Sequence, residues 1–357
     1  MIQFQKQDLF YAALKQKVQA YFDENKLEHT ANNAMRIKMT FLYLGLLLSY
    51  MSIFIFSTSF SITLLIAFIY GFFTFLLAFN VVHDAGHYAL FKSKRANNFF
   101  ILTLDLFGIS SFIWKTTHNK HHHSPNVLQH DSLVDDFKLG RITPKGKWNY
   151  LFKFQVYYIP ILSLFYSISL FLVSDFFRIN RLSNEVSLSR KRKLLEIVKL
   201  CLSKLMAIFL TILLPFWYLD FTLMQLVWFF LAIHLAPGLM VGFFVAPSHF
   251  NTHLDFPEPD ENNALHYSWS EHQLRTTEDF GINNLFLNFS LGGFNHHVAH
   301  HLFPTICHIH YPKITPIIKQ TAIEYQLTYQ ASSFLQLYTS HLKHLKRLGK
   351  RENIVVE

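Results

Sequence analysis

The chain has 357 residues, of which 51% are hydrophobic, 17% aromatic and only 15% charged, and its mean hydropathy is +0.21. A soluble domain carries about 25% charged residues, so this composition excludes an ordinary soluble enzyme and points to an integral membrane protein. The net charge of +9 lies in clusters between apolar blocks, which marks a cytoplasmic membrane face and argues against a nucleic-acid partner.

The opening stretch "MIQFQKQDLFYAALKQK" has no apolar core behind its first charges, so it is not a cleavable signal peptide. Residues 1–39 are expected to form a cytoplasmic N-terminal segment. A first transmembrane hairpin is predicted over 40–82. Its arms are "TFLYLGLLLSYMSIFIFS" (40–57) and "SITLLIAFIYGFFTFLLAFNVV" (61–82), each close to the roughly 20 apolar residues that a span requires. Residues 83–150 form a cytoplasmic segment with two histidine clusters. Within it, "FFILTLDLFGISSFIW" (99–114) is short and contains Asp105, so it reads as re-entrant or interfacial.

Residues 151–199 are expected to hold an interfacial helix and a basic linker. "VYYIPILSLFYSISLFLVSDFF" (156–177) is long enough to cross. Crossing would place "SRKRK" (189–193) outside and separate the later histidines from the earlier ones. A second transmembrane hairpin is predicted over 200–246, with its turn near Asp220. Residues 247–357 complete the cytoplasmic part. The basic runs "KSKR" (92–95), "SRKRK" and "HLKHLKRLGKR" (341–351) put both termini and the polar segments in the cytoplasm by the positive-inside rule. The predicted fold is thus an all-α integral membrane protein, with four transmembrane helices in two hairpins, interfacial helices and a cytoplasmic histidine-rich cap. A bacterial inner membrane is the expected location.

The two cysteines, Cys201 and Cys307, form no CxxC, so neither a disulfide framework nor a thiolate zinc site is expected. The 21 histidines carry the chemistry. "HDAGH" supplies His83 and His87, "HNKHH" supplies His118, His121 and His122, and "HVAHH" supplies His297, His300 and His301. Spacings of three and four residues set imidazoles on one helical face. All three clusters fall at membrane level on the same inferred side. Zinc needs four ligands, or three at a catalytic site, so eight histidines imply two metal ions. Mostly nitrogen donors and no thiolate favour a di-iron centre, with copper or zinc behind it. His123 and His296 read as neighbours of the clusters. His29, His130, His234, His253, His266, His272, His341 and His344 read as satisfied core or surface residues. Ligating imidazoles usually donate their second N–H to a carboxylate or carbonyl. Asp84, Asp131, Asp135, Asp136 and Asp279 are the candidates, with Asp84 favoured because it lies inside a cluster, and Asn126 follows the middle one. No GxGxxG follows a strand, so no nicotinamide or flavin is expected. The basic residues Lys92, Lys94, Arg95 and Arg275 suit a phosphate headgroup, a CoA, an acidic electron donor or simple membrane orientation.

With these motifs the sequence resembles the membrane fatty acid desaturases with three histidine boxes, over roughly residues 40–320. "HDAGH", "HNKHHHSPN" and "GGFNHHVAHHLFPTICHIHYPKI" match the boxes in order and spacing, and "HQLRTTEDF" (272–280) is similar to the front-end and bacterial acyl-lipid or acyl-CoA branch. The resemblance adds His249, in "VAPSHFNT", as a ninth ligand, and favours Asp279, inside the front-end-like motif. It implies O2-dependent insertion of a cis double bond by two iron ions, with no catalytic residue beyond the metal ligands. Zinc would be an artefact of expression. The substrate would be an acyl chain carried by a lipid, CoA or acyl carrier protein, among membrane lipids. No "HPGG" haem-binding stretch is present. Electrons are therefore expected from a separate protein, a ferredoxin or a cytochrome b5 with its reductase. Two positions depart from the front-end pattern: His297 stands where those enzymes usually have Gln, as in methyl-end desaturases, and Asp279 stands where they have Asn. These leave the position of the double bond open. A lipid hydroxylase, an acetylenase and a carotenoid ketolase on the same scaffold are the alternatives, and a metal transporter is disfavoured because the spans hold few polar residues beyond Asn80 and His234.

Overall fold

A computed structural model describes residues 2–351. Met1 and residues 352–357, the ends of the two segments expected in the cytoplasm, lie outside the described residues. The described residues divide into two compact units, one formed by 33–116 and 162–242, the other by 2–32, 117–161 and 243–351.

The first unit holds three of the long apolar helices and residues 223–242 of the fourth. Four helices are long and apolar enough to cross a membrane: Asn33–Ile55, Phe60–Gly86, Arg190–Tyr218 and Leu223–His249. Each matches a predicted span to within two residues at one end and runs past it at the other: the first stops at Ile55, two residues short of 57, but begins at Asn33, seven before 40, because the polar flank continues the helical hydrogen-bond ladder. Ser59 and Thr222 cap the second arms. Ser59 Oγ accepts the Ile62 N–H, and Thr222 exchanges bonds with Gln225 in a capping box. The Phe60–Gly86 and Leu223–His249 helices touch backbone to backbone at Gly71, where a Cβ would stand 1.9 Å from the Ile233 carbonyl oxygen. Small residues permit this approach where lipid supplies no hydrophobic drive between helices.

The stretch 99–114 is not one straight segment. Helices Lys94–Leu106 and Ser111–His123 meet at 111°. Gly108 turns the corner at φ +72°, a conformation that suits glycine. Polar groups hold the corner. Ser111 N–H donates to Asp105 Oδ1 (3.2 Å) and Ser110 N–H to Asp175 Oδ2 (2.9 Å). Lys204 Nζ donates to the carbonyls of Gly108 (2.5 Å) and Leu170 (2.6 Å) and to Asp175 Oδ2 (3.2 Å). The helix expected over 156–177 is also broken, after Ser163. Gly238 packs against the break, with a Cβ there only 2.1 Å from the Leu164 carbonyl oxygen.

The second unit is mixed. Helix Leu9–Glu24 buries Phe10, Leu14, Val18 and Phe22 at four-residue spacing, against Ile314, Ile318 and Ala322 of helix Tyr311–Glu324 and Val298 and Leu302 of helix His297–Leu302. Each of the larger side chains among these contributes about 1.5–3 kcal/mol of burial. Two short parallel pairings complete the unit: Gln3–Gln5 with Ala264–Ser268, and Asp279–Phe280 with Ala331–Ser332. The C-terminal helix Phe334–Leu348 starts at a Ser333–Gln336 capping box and buries Leu337, Leu345 and Leu348.

Candidate metal centre

In the first unit, the π-helical turn Ala78–Val82 leads directly into His83. A π turn widens the helix and often sits at functional sites. His83 and His87 are buried, with ring centroids 5.3 Å apart. Trp114 packs edge-on to His83 at 6.0 Å. Asp84 is buried between them in sequence.

In the second unit the remaining box histidines come together. Helix Ser111–His123 ends on its cluster, so His118, His121 and His122 occupy one face of its last turns. Helix His297–Leu302 carries His297, His300 and His301. His249 closes the long Leu223–His249 helix. His122 lies at centroid distances of 4.6 Å from His118, 4.4 Å from His300 and 4.3 Å from His301. His249 stands 4.6 Å from both His121 and His297. One ring nitrogen from each of His122, His300 and His301 falls within a 4.8 Å group. His122 Nε2 is 3.2 Å from His118 Nε2.

The hydrogen bonds orient these rings. His121 Nδ1–H donates to Asp131 Oδ2 (2.8 Å), and the same carboxylate accepts the N–H groups of Asn126 (2.9 Å) and Leu133 (2.9 Å). His301 Nδ1–H donates to Gln273 Oε1 (2.9 Å). The opposite nitrogens, His121 Nε2 and His301 Nε2, are buried and accept no hydrogen bond among the described residues. A buried polar atom without a partner costs about 1–3 kcal/mol. A lone pair fixed inward at that cost suits a metal ion. Burial, reinforced by neighbouring imidazoles with His122 first, holds His301 well below the usual histidine range, so it is neutral, the form that binds metal.

The other predicted residues do different work. Asn126, at φ +61°, donates from Nδ2 to the carbonyls of His249 (3.3 Å) and Asp255 (3.2 Å), and so ties backbone rather than a ring. Asp279 is fully buried. Its Oδ1 accepts the Val298 N–H (2.8 Å) at the start of the third-box helix, and its Oδ2 accepts the Tyr329 hydroxyl. Burial pushes its carboxyl up to about 7. Asp135 accepts the Gln129 N–H in a turn. His123 turns away to the Ile2 carbonyl (3.3 Å) and the edge of Phe4, and His296 bonds Thr315 Oγ1 (2.8 Å). Arg275 is engaged by Glu271 (2.7 Å) and Asp255 (3.3 Å). His272, His341 and His344 bond the carbonyls of Pro125, Phe250 and Ile142. Gln273 had no place among the sequence-derived candidates. Its only sequence signal is its position inside "HQLRTTEDF".

Comparison with known proteins identifies the family. Residues 59–333 match the fatty acid desaturase family profile. The chain is 31% identical to the sn-1 linoleoyl-lipid 6-desaturase of Synechocystis sp., over 98% of both chains. It is 30% identical to the acyl-lipid (8-3)-desaturase of Physcomitrium patens, over 96% of this chain and 72% of that one. It is also 30% identical to the probable Delta(5) fatty acid desaturase C of Dictyostelium discoideum, over 97% and 77%. The match runs through the apolar helices and all three histidine boxes: the chain belongs to the fatty acid desaturase family and is a membrane fatty acid desaturase.

Proposed function

We propose that the chain is an O2-dependent front-end acyl-lipid desaturase, which inserts a cis double bond between the carboxyl end of a lipid-bound acyl chain and a bond already present. The histidine cluster of the second unit, with two inward lone pairs fixed by Asp131 and Gln273, is the observation that carries a resident metal. The names of the relatives, an sn-1 linoleoyl-lipid 6-desaturase, an acyl-lipid (8-3)-desaturase and a probable Delta(5) fatty acid desaturase, support the front-end assignment and the lipid substrate.

The ligand set is His118, His121, His122, His249, His297, His300 and His301, joined by His83 and His87 as the first box. Nitrogen donors without thiolate fit two iron ions. With O2 and electrons, iron supplies the oxidising power that no side chain has. The chain's own residues orient and shield. Asp131 fixes the His121 tautomer, and Asp279 anchors the start of the third-box helix. Phe294, buried, lies 4.5 Å from the His297 ring and 5.9 Å from His249, and keeps water from that side. Electrons come from a separate ferredoxin or cytochrome b5, and the histidine boxes face the cytoplasm of a bacterial inner membrane.

The test is expression in a host with a simple lipid profile supplemented with linoleate, followed by mass spectrometry of fatty acid methyl esters. A new double bond on the carboxyl side of the existing ones is expected. Hydroxy acids or alkynes would transfer the chain to the hydroxylase or acetylenase reading. Two irons per purified chain, lost in His122→Ala and His300→Ala, are expected, and full retention in both variants overturns the ligand set.

A further inference from the structure

The two oriented imidazoles of the second unit differ in the charge of the group behind them. Behind His121 stands a carboxylate, Asp131, with none of its area exposed. Behind His301 stands a neutral amide, Gln273, also fully buried on helix Trp269–Thr276. His301 occupies the centre of the cluster. Its ring centroid lies 4.3 Å from His122, 4.6 Å from His297, 5.1 Å from His121 and 5.4 Å from His300.

An amide can present either oxygen or nitrogen, and hydrogen bonding decides which. Here Oε1 faces His301 Nδ1, while Gln273 Nε2 is buried without a partner among the described residues. The reversed amide would aim N–H at Nδ1, force the His301 proton onto Nε2 and abolish its lone pair toward the cluster. The chain thus tolerates a buried unpartnered amide N–H, at about 1–3 kcal/mol, in the orientation that keeps His301 a ligand. A carboxylate behind an imidazole makes it a stronger donor than a neutral acceptor does.

We propose that Gln273 is a positioning residue for the metal centre: it sets the His301 tautomer and, being neutral where Asp131 is anionic, keeps His301 the weaker donor of the two. This rests on the iron-ligand reading above. The experiment uses full-length protein purified in detergent and loaded with iron. Iron per chain is measured after chelator challenge, and the midpoint potential by redox titration followed by Mössbauer spectroscopy. Gln273→Leu leaves His301 Nδ1 without an acceptor and is expected to lower iron affinity by roughly 10- to 100-fold. Gln273→Glu keeps the acceptor and adds the charge. It is expected to retain iron and to shift the midpoint potential to a lower value. Unchanged affinity in Gln273→Leu, or an unchanged potential in Gln273→Glu, overturns the proposal. Failure of both variants to fold also overturns it, since Gln273 would then serve packing alone. Wild-type protein that binds no iron overturns the ligand reading instead, so the two failures are distinguishable.

Discussion

Lys204 sits inside the membrane-helix unit with its ammonium fully engaged by two carbonyls and the Asp175 carboxylate. Lys204→Met, close in length and uncharged, removes all three donors at once. Asp175, 1% exposed, then keeps, among the described residues, only the Ser110 N–H. Breaking a buried pair by removing one partner costs about 3–5 kcal/mol, because the remaining charge stays buried. An unfolding entropy of about 2.1 cal/mol/K per residue, summed over the chain, converts this to a fall in Tm of about 4–7 °C. Fluorescence-detected size exclusion after heating in detergent reads it. The double variant Lys204→Met/Asp175→Asn removes the stranded charge and keeps an acceptor for Ser110, so it is expected to recover at least half of the loss. A Tm for Lys204→Met within about 1 °C of wild type, or a double variant whose loss is the sum of the singles, refutes the reasoning.

Gly71→Val forces the two packed spans apart, since the Ile233 carbonyl cannot move like a side chain. Overpacking of about 1–3 kcal/mol or more is expected, and a wild-type yield of folded protein would contradict it. Tyr329→Phe withdraws the hydroxyl from buried Asp279, so thermal stability is expected to drop by about 1–3 kcal/mol, measured by the same heating assay. His123→Ala is expected to keep the full iron content that His122→Ala loses, because His123 points to Ile2 and Phe4; equal loss by metal analysis would contradict the split. Burial lowers His341 and His344 to about 4. Their folded-state values lie below the unfolded one, so their contribution is present above pH about 6.5 and lost as pH falls through about 4. His344→Gln, which can donate to Ile142 without titrating, is expected to flatten that acid limb in a pH series of melting curves.

Much of the protein was legible before any coordinate. The four spans follow from local composition, since about 20 apolar residues in a row have no other stable place. The box histidines follow from spacing, since three and four residues return to one helical face by helix geometry alone. The family resemblance extended that reading to His249, which spacing did not single out. Tertiary structure decided what lies between distant segments. The acid behind His121 is Asp131, ten residues on, whereas Asp279, expected behind a histidine ring, holds the backbone of Val298. The amide behind His301 comes from 28 residues upstream. The apolar stretch at 99–114 bends because Gly108, Asp175 and Lys204, far apart in the chain, meet there. Such pairings are chosen by the need to satisfy most buried polar groups at once. Periodicity and spacing describe only a residue's own helix, whereas the partner of a buried donor is fixed by how separate segments pack.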